Sequence, residues 1–515
     1  MHPNKTKSET TWQLVALATL IFVSFFAVLG AMPLFDINEG VFGEATREMV
    51  VSKNYLTTYL NGVLRFDKPI LIYWLQLAAV KLFGLNEFAF RLPSALAGTA
   101  WATSIFLFVR KESGNRQAFL AAALMVLSLQ VMVIAKAAMA DALLNSCIAI
   151  TMLSLLHHYS TGSKKFLLLA FAVAGLGMLT KGPIAIIIPF VVTFLFSLLE
   201  GKLKQWFKMI FNPTGILLFL AIALPWYLLE YRDQGMAFIN GFFFKHNISR
   251  FSSVLEGHSG SLLYYIPVLI LGMMPFTGLF FTVLLKLKTL LSNSTNRFLL
   301  IWFVFVFIFF SISGTKLHHY IIYGYTPLFI LMARALPLMK HPKLLVLWPL
   351  TLFGALTLLP LILQKALSDI SDRQIQALVN GAIELTGQTY LIIVIATIVG
   401  ITIIQFLPRL SPDYKLIATG ALFSLFINIY LTPLAGKLIQ EPVKQAALLA
   451  KKEGYKVVMW KTYNPSFLVY SESFVEKRSP KPGEIVLTTV KQLDKLEHPT
   501  ILYSKYGIVM AKLRQ

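Results

Sequence analysis

Charge is what this sequence has least of. Only 14% of its 515 residues are Asp, Glu, Lys or Arg, and 57% are hydrophobic. An ordinary soluble domain has about a quarter of its residues charged. Together with a mean hydropathy of +0.69, this excludes a soluble globular chain and predicts a polytopic membrane protein. Acids are the scarcer sign, 24 against 46 basic residues, for a formal net charge of +22. No RNA- or DNA-binding motif accompanies that excess, so it suits anionic lipid headgroups and not nucleic acid. Cysteine is nearly missing. Cys147 stands alone, which excludes an intramolecular disulfide and leaves it the role of a small core residue.

Charge-poor stretches near bilayer length, about 17 to 25 residues, recur along the chain. They fall near 11–32, 92–109, 117–135, 141–160, 165–180, 183–199, 212–230, 262–285, 298–313, 320–336, 344–363, 389–407 and 416–435, an all-α bundle of about thirteen transmembrane helices. The first is too long for a signal-peptide core and no small-residue cleavage pattern follows it, so a retained helix is expected. Basic residues occupy alternate loops: Lys5 and Lys7, Arg110/Lys111/Arg116, Lys164/Lys165, Lys202/Lys204/Lys208, Lys286/Lys288/Arg297, Lys340/Lys343 and Arg409/Lys415. The positive-inside rule then predicts a cytoplasmic N-terminus, with the first loop, the 231–261 loop and the C-terminus outside.

Two domains are expected: a membrane domain over 1–436, with long outer loops at 33–91, 231–261 and 364–388, and an outer-face α/β domain over 437–515. The tail has a helical pattern at 441–453 and strand-like runs at 456–460, 484–488 and 500–503, with a turn at Pro480-Lys-Pro-Gly483. It holds no catalytic motif, which points to a structural or acceptor-shaping part.

The first loop gathers charge beside the first span. It reads Asp36-Ile-Asn38-Glu39, then Glu44, Arg47 and Glu48, then Asn61-Gly-Val-Leu-Arg65-Phe-Asp67-Lys68-Pro69. Unused charge at a bilayer interface is costly, so such clusters are functional candidates. The 40–52 stretch reads as an interfacial helix, and Asp36 with Glu39 also fits a helix capping pattern. Capping alone leaves the Asp67-Lys68 step at the far end of the loop unexplained.

With the expected topology, further charges reach the same face. Asp141 sits at the mouth of the fourth span, Lys181 in Thr180-Lys-Gly-Pro183, Lys245 and Arg250 in the 231–261 loop, and Lys316, His318 and His319 in Gly314-Thr-Lys-Leu-His-His-Tyr320. A single lysine at a helix end usually snorkels into headgroups. Five outer loops each offering a cation suit a phosphate, whose oxygens take charge-assisted hydrogen bonds. An acid beside it suits group transfer from a lipid phosphate: cations stabilise the leaving phosphate while a carboxylate deprotonates an incoming hydroxyl. A divalent cation held by Asp67 with His246 or His258 is the alternative to hydrogen-bonded histidines. No other cofactor is called for, and no spacing resembles a zinc site.

An ordered series of phrases resembles the membrane glycosyltransferases of the glycosyltransferase-C superfamily, in the branch that includes the bacterial lipid A aminoarabinose transferase and the protein O-mannosyltransferases. These phrases are Asn38-Glu39-Gly-Val-Phe-Gly-Glu44-Ala-Thr-Arg47-Glu-Met49, Asn61-Gly, Asp67-Lys68-Pro69, Tyr73-Trp74, Phe83-Gly84, Arg91-Leu-Pro93, Thr180-Lys-Gly-Pro183, Pro225-Trp226-Tyr227 and Thr315-Lys-Leu-His-His-Tyr320. The resemblance implies an inverting transfer from a polyprenyl-phosphate sugar to a glycolipid, glycan or protein on the outer face of an inner membrane. By position it assigns Glu39 and Asp141 as acids. Lys68, Lys181, Lys245, Arg250, Lys316 and His318 are then candidates for the donor phosphate.

One departure matters. The first acid of the usual Asp-Glu pair is Asn38, and an amide cannot be a general base, so either Asp36 or Glu39 takes that part or the chain is catalytically altered. A flippase for lipid-linked sugars and a non-catalytic lipid-binding protein are the competing readings.

Overall fold

The computed structural model describes residues 3–253 and 259–514. It is a mostly helical bundle with a small C-terminal sheet domain. Each of the thirteen apolar stretches is helical over most of its length. Among the described residues, eight helices are long and apolar enough to cross a membrane, or up to ten if two bent pairs each count as one span. The bent pairs are Asn115–Val126 with Leu129–Lys136 (68°) and Tyr265–Gly272 with Thr277–Leu285 (116°). Each break frees backbone groups that hydrocarbon cannot satisfy. The breaks answer one another: Leu129 N–H donates to the Met274 carbonyl at 2.9 Å.

Burial separates central from peripheral helices. The apolar window of His318–Leu338 is 83% buried and that of Asp141–Thr161 72%, whereas Pro342–Leu367 and Gln388–Phe406 reach only 22% each. The last two present Leu and Ile outward, as a lipid-facing helix does. The most buried of the four, His318–Leu338, is pinned by indole groups. Trp302 Nε1 donates to the Tyr323 carbonyl at 2.9 Å, and Trp101 Nε1 to Thr326 Oγ1 at 2.8 Å. Ala118, Ala121, Ala122 and Ala123 are fully buried, small residues that let neighbouring backbones approach closely.

The first loop is ordered by its own acids. Its helix runs Asn38–Ser52, slightly longer than the 40–52 expected. Glu44 makes a two-point contact with Arg47 at 2.6 and 2.7 Å inside this helix, and burial raises the Glu44 carboxyl to about 7. Glu48 accepts from the backbone N–H groups of Asn61 and Gly62. Those two residues turn the small hairpin of Tyr59–Leu60 and Val63–Leu64. An Asn-Gly turn is the commonest short-hairpin signal. The long loops are not irregular either. Arg373–Leu385 forms a helix whose N-cap, Asp372, accepts from Gln374 N–H at 2.8 Å, and Ile239–Ser249 forms a wide-turned helical segment.

In the tail, the helix Glu441–Glu453 matches expectation. A four-stranded sheet follows in the order Val457–Met459, Ile485–Thr489, Ile508–Lys512, Thr500–Lys505. The first pair is parallel and the others antiparallel. The strand Ile508–Lys512 and the helix Pro465–Ser471 are elements that the sequence reading lacked.

That short helix docks onto the first loop. Asp36 accepts from Ser466 N–H at 2.8 Å and from Ser466 Oγ at 2.6 Å, with Asn464 Nδ2 at 3.4 Å. Asn61 and Val475 exchange a pair of hydrogen bonds at 2.8 and 3.0 Å. Gly40 permits the approach, because a Cβ there would lie 2.5 Å from Ser466 N.

Candidate active site

The largest polar cavity, about 700 Å³, opens between the first loop, the mouths of the central helices and the tail. Five cations line it, Arg65, Lys68, Lys181, Lys245 and Lys316, against two carboxylates, Asp67 and Asp141. His246, His318 and His319 add titratable groups. A cavity with this excess of positive charge suits an anionic ligand.

Two clusters organise the charges. At one end Asp67 takes Arg65 Nη2 at 2.7 Å, Lys68 Nζ at 2.8 Å and His246 Nδ1 at 3.1 Å. Arg65 also donates to Tyr73 Oη at 2.6 Å and lies over the Phe42 ring. The Asp67 carboxylate neutralises one of the two permanent cations beside it and fixes the direction of both. At the other end Asp141, 2% exposed, accepts at Oδ1 from Lys181 Nζ at 2.6 Å and Tyr323 Oη at 2.5 Å. His319 Nε2 is 3.7 Å from the same oxygen. Lys181 reaches Asp141 because the chain turns sharply after it. Gly182 takes φ +80°, and a Cβ there would lie 2.6 Å from the Phe242 ring. The Thr-Lys-Gly-Pro phrase is thus a device for aiming one lysine.

The sequence-derived candidates divide. Lys68, Lys181, Lys245, Lys316, His318 and Asp141 line one cavity. Lys316 is held from inside, donating to the Ser313 carbonyl at 2.7 Å, and His318 is exposed towards the cavity. The Arg250 side chain and all of His258 lie outside the described residues.

The two first-loop acids lie apart from this cluster. Neither Asp36 nor Glu39 lines the larger cavity, and both line the smaller one beside it. Glu39 is 3% exposed and its carboxylate is fully employed. It accepts from Arg91 Nε and Nη2 at 2.8 and 2.7 Å, from Phe35 N–H at 2.8 Å and from Ala138 N–H at 2.7 Å. Asp36 is turned to Ser466 instead of capping the helix. Burial raises its carboxyl to about 6, with the Ser466 contacts acting the other way. Asn38, at the position of the missing acid, is exposed and does line the cavity.

A divalent cation at Asp67 would have His246 as its one described partner, and no group of three or more His, Cys, Asp or Glu occurs among the described residues. Arg65 and Lys68 already occupy that carboxylate. This donor set fits a metal poorly. Sequence reasoning passed over Arg65, although it stands two residues before Asp67 in the same phrase. It also passed over Tyr323, and Tyr463 of the tail, which lines the cavity. Nothing in their local sequence marks the two tyrosines.

Beside the first cavity lies a second of about 310 Å³, lined by Asp36, Glu39, Arg91, Lys136, Asn428 and Thr432 among others. Asn38, Met139, His318 and His319 line both.

The resemblance drawn from the motifs holds. Residues 67–228 match the family model described as Dolichyl-phosphate-mannose-protein mannosyltransferase. Over 327 residues the chain is 31% identical to an undecaprenyl phosphate-alpha-4-amino-4-deoxy-L-arabinose arabinosyl transferase of Proteus mirabilis, covering 62% of this chain and 58% of that one. Over 343 residues it is 32% identical to the Aeromonas hydrophila protein of the same description, covering 65% and 61%. The chain therefore spans about 58–61% of the length of these curated relatives. The crystal structure of ArnT from Cupriavidus metallidurans bound to undecaprenyl phosphate aligns over 98% of both chains, with a TM-score of 0.83 at 19% identity. An apo oligosaccharyltransferase from Archaeoglobus fulgidus aligns over 90% of this chain and 64% of that one, with a TM-score of 0.50 at 13% identity. The fold is that of ArnT.

Proposed function

We propose that this chain is an inverting glycosyltransferase. It moves a sugar from a polyprenyl-phosphate donor to an envelope acceptor, a lipid A-like glycolipid, another glycan or a protein, at the outer face of a bacterial inner membrane. The observation that carries the reading is the cavity that sets five cations against Asp67 and Asp141. Its charge suits a phosphomonoester or diester, and its position against the helix mouths suits a donor whose chain stays in the lipid.

In this reading Lys68, Lys181, Lys245 and Lys316, with His318, Arg65 and Arg250, stabilise the charge that develops on the departing phosphate. Asp141 holds Lys181 and Tyr323 in place around the reacting centre. Glu39 and Asp36 build the site without reacting in it. The relatives' described donor, undecaprenyl phosphate aminoarabinose, is the first sugar donor to try. The proposed topology has thirteen spans over 1–436, a cytoplasmic N-terminus and an outer domain over 437–515. The two bent helix pairs count as one span each, and Pro3–Phe26, Lys164–Lys181 and Ile184–Leu199 complete the set.

Asn38 favours one other reading, a non-catalytic protein that binds polyprenyl-phosphate sugars. Mass spectrometry of envelope glycolipids and secreted glycoproteins, from cells with and without the gene, separates the two. Loss of one defined sugar from a lipid or protein is expected. Unchanged pools in cells that make the protein would leave the binding protein in place of the enzyme.

A further inference from the structure

A transfer to a hydroxyl needs a group to take its proton, and this site has lost the obvious ones. Asn38 has no basic atom. Asp36 is spent on Ser466, and Glu39 on Arg91, Phe35 and Ala138. Asp141 Oδ1 is engaged by Lys181 and Tyr323. His319 borders both cavities, whereas His246 borders only the larger and faces Asp67. His319 is 3% exposed, and its Nδ1 is buried with no hydrogen-bond partner. A buried ring nitrogen left unpaired is costly, and the cost is relieved if a ligand hydroxyl occupies the position beside it.

Resting on the transferase reading, we infer that His319 is the general base, and that the acceptor, a hydroxyl compound, reaches it from the 310 Å³ cavity while the donor occupies the 700 Å³ one. The ring is set for this. Edge-to-face contacts with His318 and Tyr320, each with centroids 5.1 Å apart, fix its plane. With the proton on Nε2, towards Asp141 at 3.7 Å, the Nδ1 lone pair is available. The groups facing the ring are Asp141, Lys181, His318, Tyr320 and Lys68. Asp141 lies on the Nε2 side of the ring, where its charge steadies the imidazolium once formed, as the acid of a nucleophile–His–acid triad does.

The step balances. The acceptor O–H proton passes to His319 Nδ1 as the acceptor oxygen bonds to the anomeric carbon. The bond from that carbon to the phosphate oxygen breaks, and its electron pair leaves on the polyprenyl phosphate. The imidazolium then returns the proton to that phosphate, beside Lys68 and Lys181. A phosphate nucleophile has no such proton to give up, so a hydroxyl acceptor is part of the inference.

The purified full chain would be assayed with undecaprenyl-phosphate aminoarabinose and a panel of other undecaprenyl-phosphate sugars. The acceptor would be a lipid extract of envelopes from cells lacking the gene. Readouts are product mass, linkage and undecaprenyl phosphate affinity. His319→Gln is expected to lower kcat about 10²- to 10⁴-fold, with undecaprenyl phosphate affinity within about threefold of wild type. His319→Ala is expected to regain turnover with added imidazole, and the product to carry its sugar on a hydroxyl. A His319→Gln enzyme with wild-type kcat overturns the inference and leaves the transferase reading standing. So does kcat falling only in step with donor affinity, or a product linked through phosphate. A wild-type chain that binds undecaprenyl phosphate and transfers none of the sugars overturns the transferase reading itself.

Discussion

Replacing Glu39 tests whether the acid at the head of the first loop reacts or merely holds. Glu39→Gln keeps the shape and removes the charge. Arg91 would then lose its counter-ion while still donating to the Leu29, Met32 and Pro33 carbonyls. It would remain as a buried, half-paired guanidinium, because its side chain is 2% exposed and that of Glu39 4%. Breaking one side of such a pair costs about 3–5 kcal/mol. At roughly 2 °C per kcal/mol for a large domain, the melting temperature in detergent should fall by about 6–10 °C. The double variant Glu39→Gln/Arg91→Met removes the stranded charge and should recover part of that loss. Turnover per folded molecule should stay within about threefold of wild type, since Glu39 borders only the smaller cavity and both its oxygens are held by Arg91, Phe35 and Ala138. Thermal melting and initial rates on the same preparations decide it. A melting temperature that does not move, joined to a kcat lower by about 100-fold or more, would make Glu39 a reacting acid and refute the placement argued above.

Other outcomes follow from the same geometry. Lys68→Ala should weaken undecaprenyl phosphate binding and turnover together, by about 10-fold or more for one charge-assisted contact. Equal affinity in a titration would remove Lys68 from the phosphate site. Asp141→Asn should reduce kcat and, because it strands Lys181, also lower the melting temperature by several degrees; a wild-type rate would demote it to a structural partner of Lys181. Asp36 is held up to about 6 from 3.8 by burial, so its contribution to stability is full below pH 3.8 and lost as pH rises through 6. The melting temperature of wild type relative to Asp36→Asn should therefore fall between pH 5 and pH 8, and a constant difference would contradict this. Gly40→Ala should loosen the tail from the first loop, read as faster protease nicking near residue 464. An unchanged cleavage rate would show that the contact yields easily.

Apolar runs made the helices legible, since hydrocarbon leaves the backbone few other choices. What the runs could not show is bending. The break at 273–276 contains Pro275, a local helix breaker, but its pairing with the break at 127–128, through Leu129 N–H on the Met274 carbonyl, joins two distant stretches. In the tail, the strand Ile508–Lys512 escaped because its turn, Tyr506-Gly507, lacks the usual Asn-Gly signature, although both residues take positive φ. The cations of the site were legible because lysines at span mouths are few and fall on one face. The hydrogen-bond partners of the first-loop acids were not legible, because distant residues supply them. Arg91 lies 52 residues from Glu39, and Ser466 lies 430 from Asp36. Local spacing carries no trace of either.

That last distance has a consequence for how the protein is made. The first loop emerges near the start of synthesis, yet its Asp36 waits for Ser466, and the cavity waits for Tyr463. A chain broken off anywhere between the last span and residue 463 would contain every transmembrane helix and nearly every cation, and still lack one wall. An unfinished copy would leave Asp36 without its Ser466 partner and the cavity without Tyr463, so the tail completes, last in synthesis, a site whose cations are laid down first.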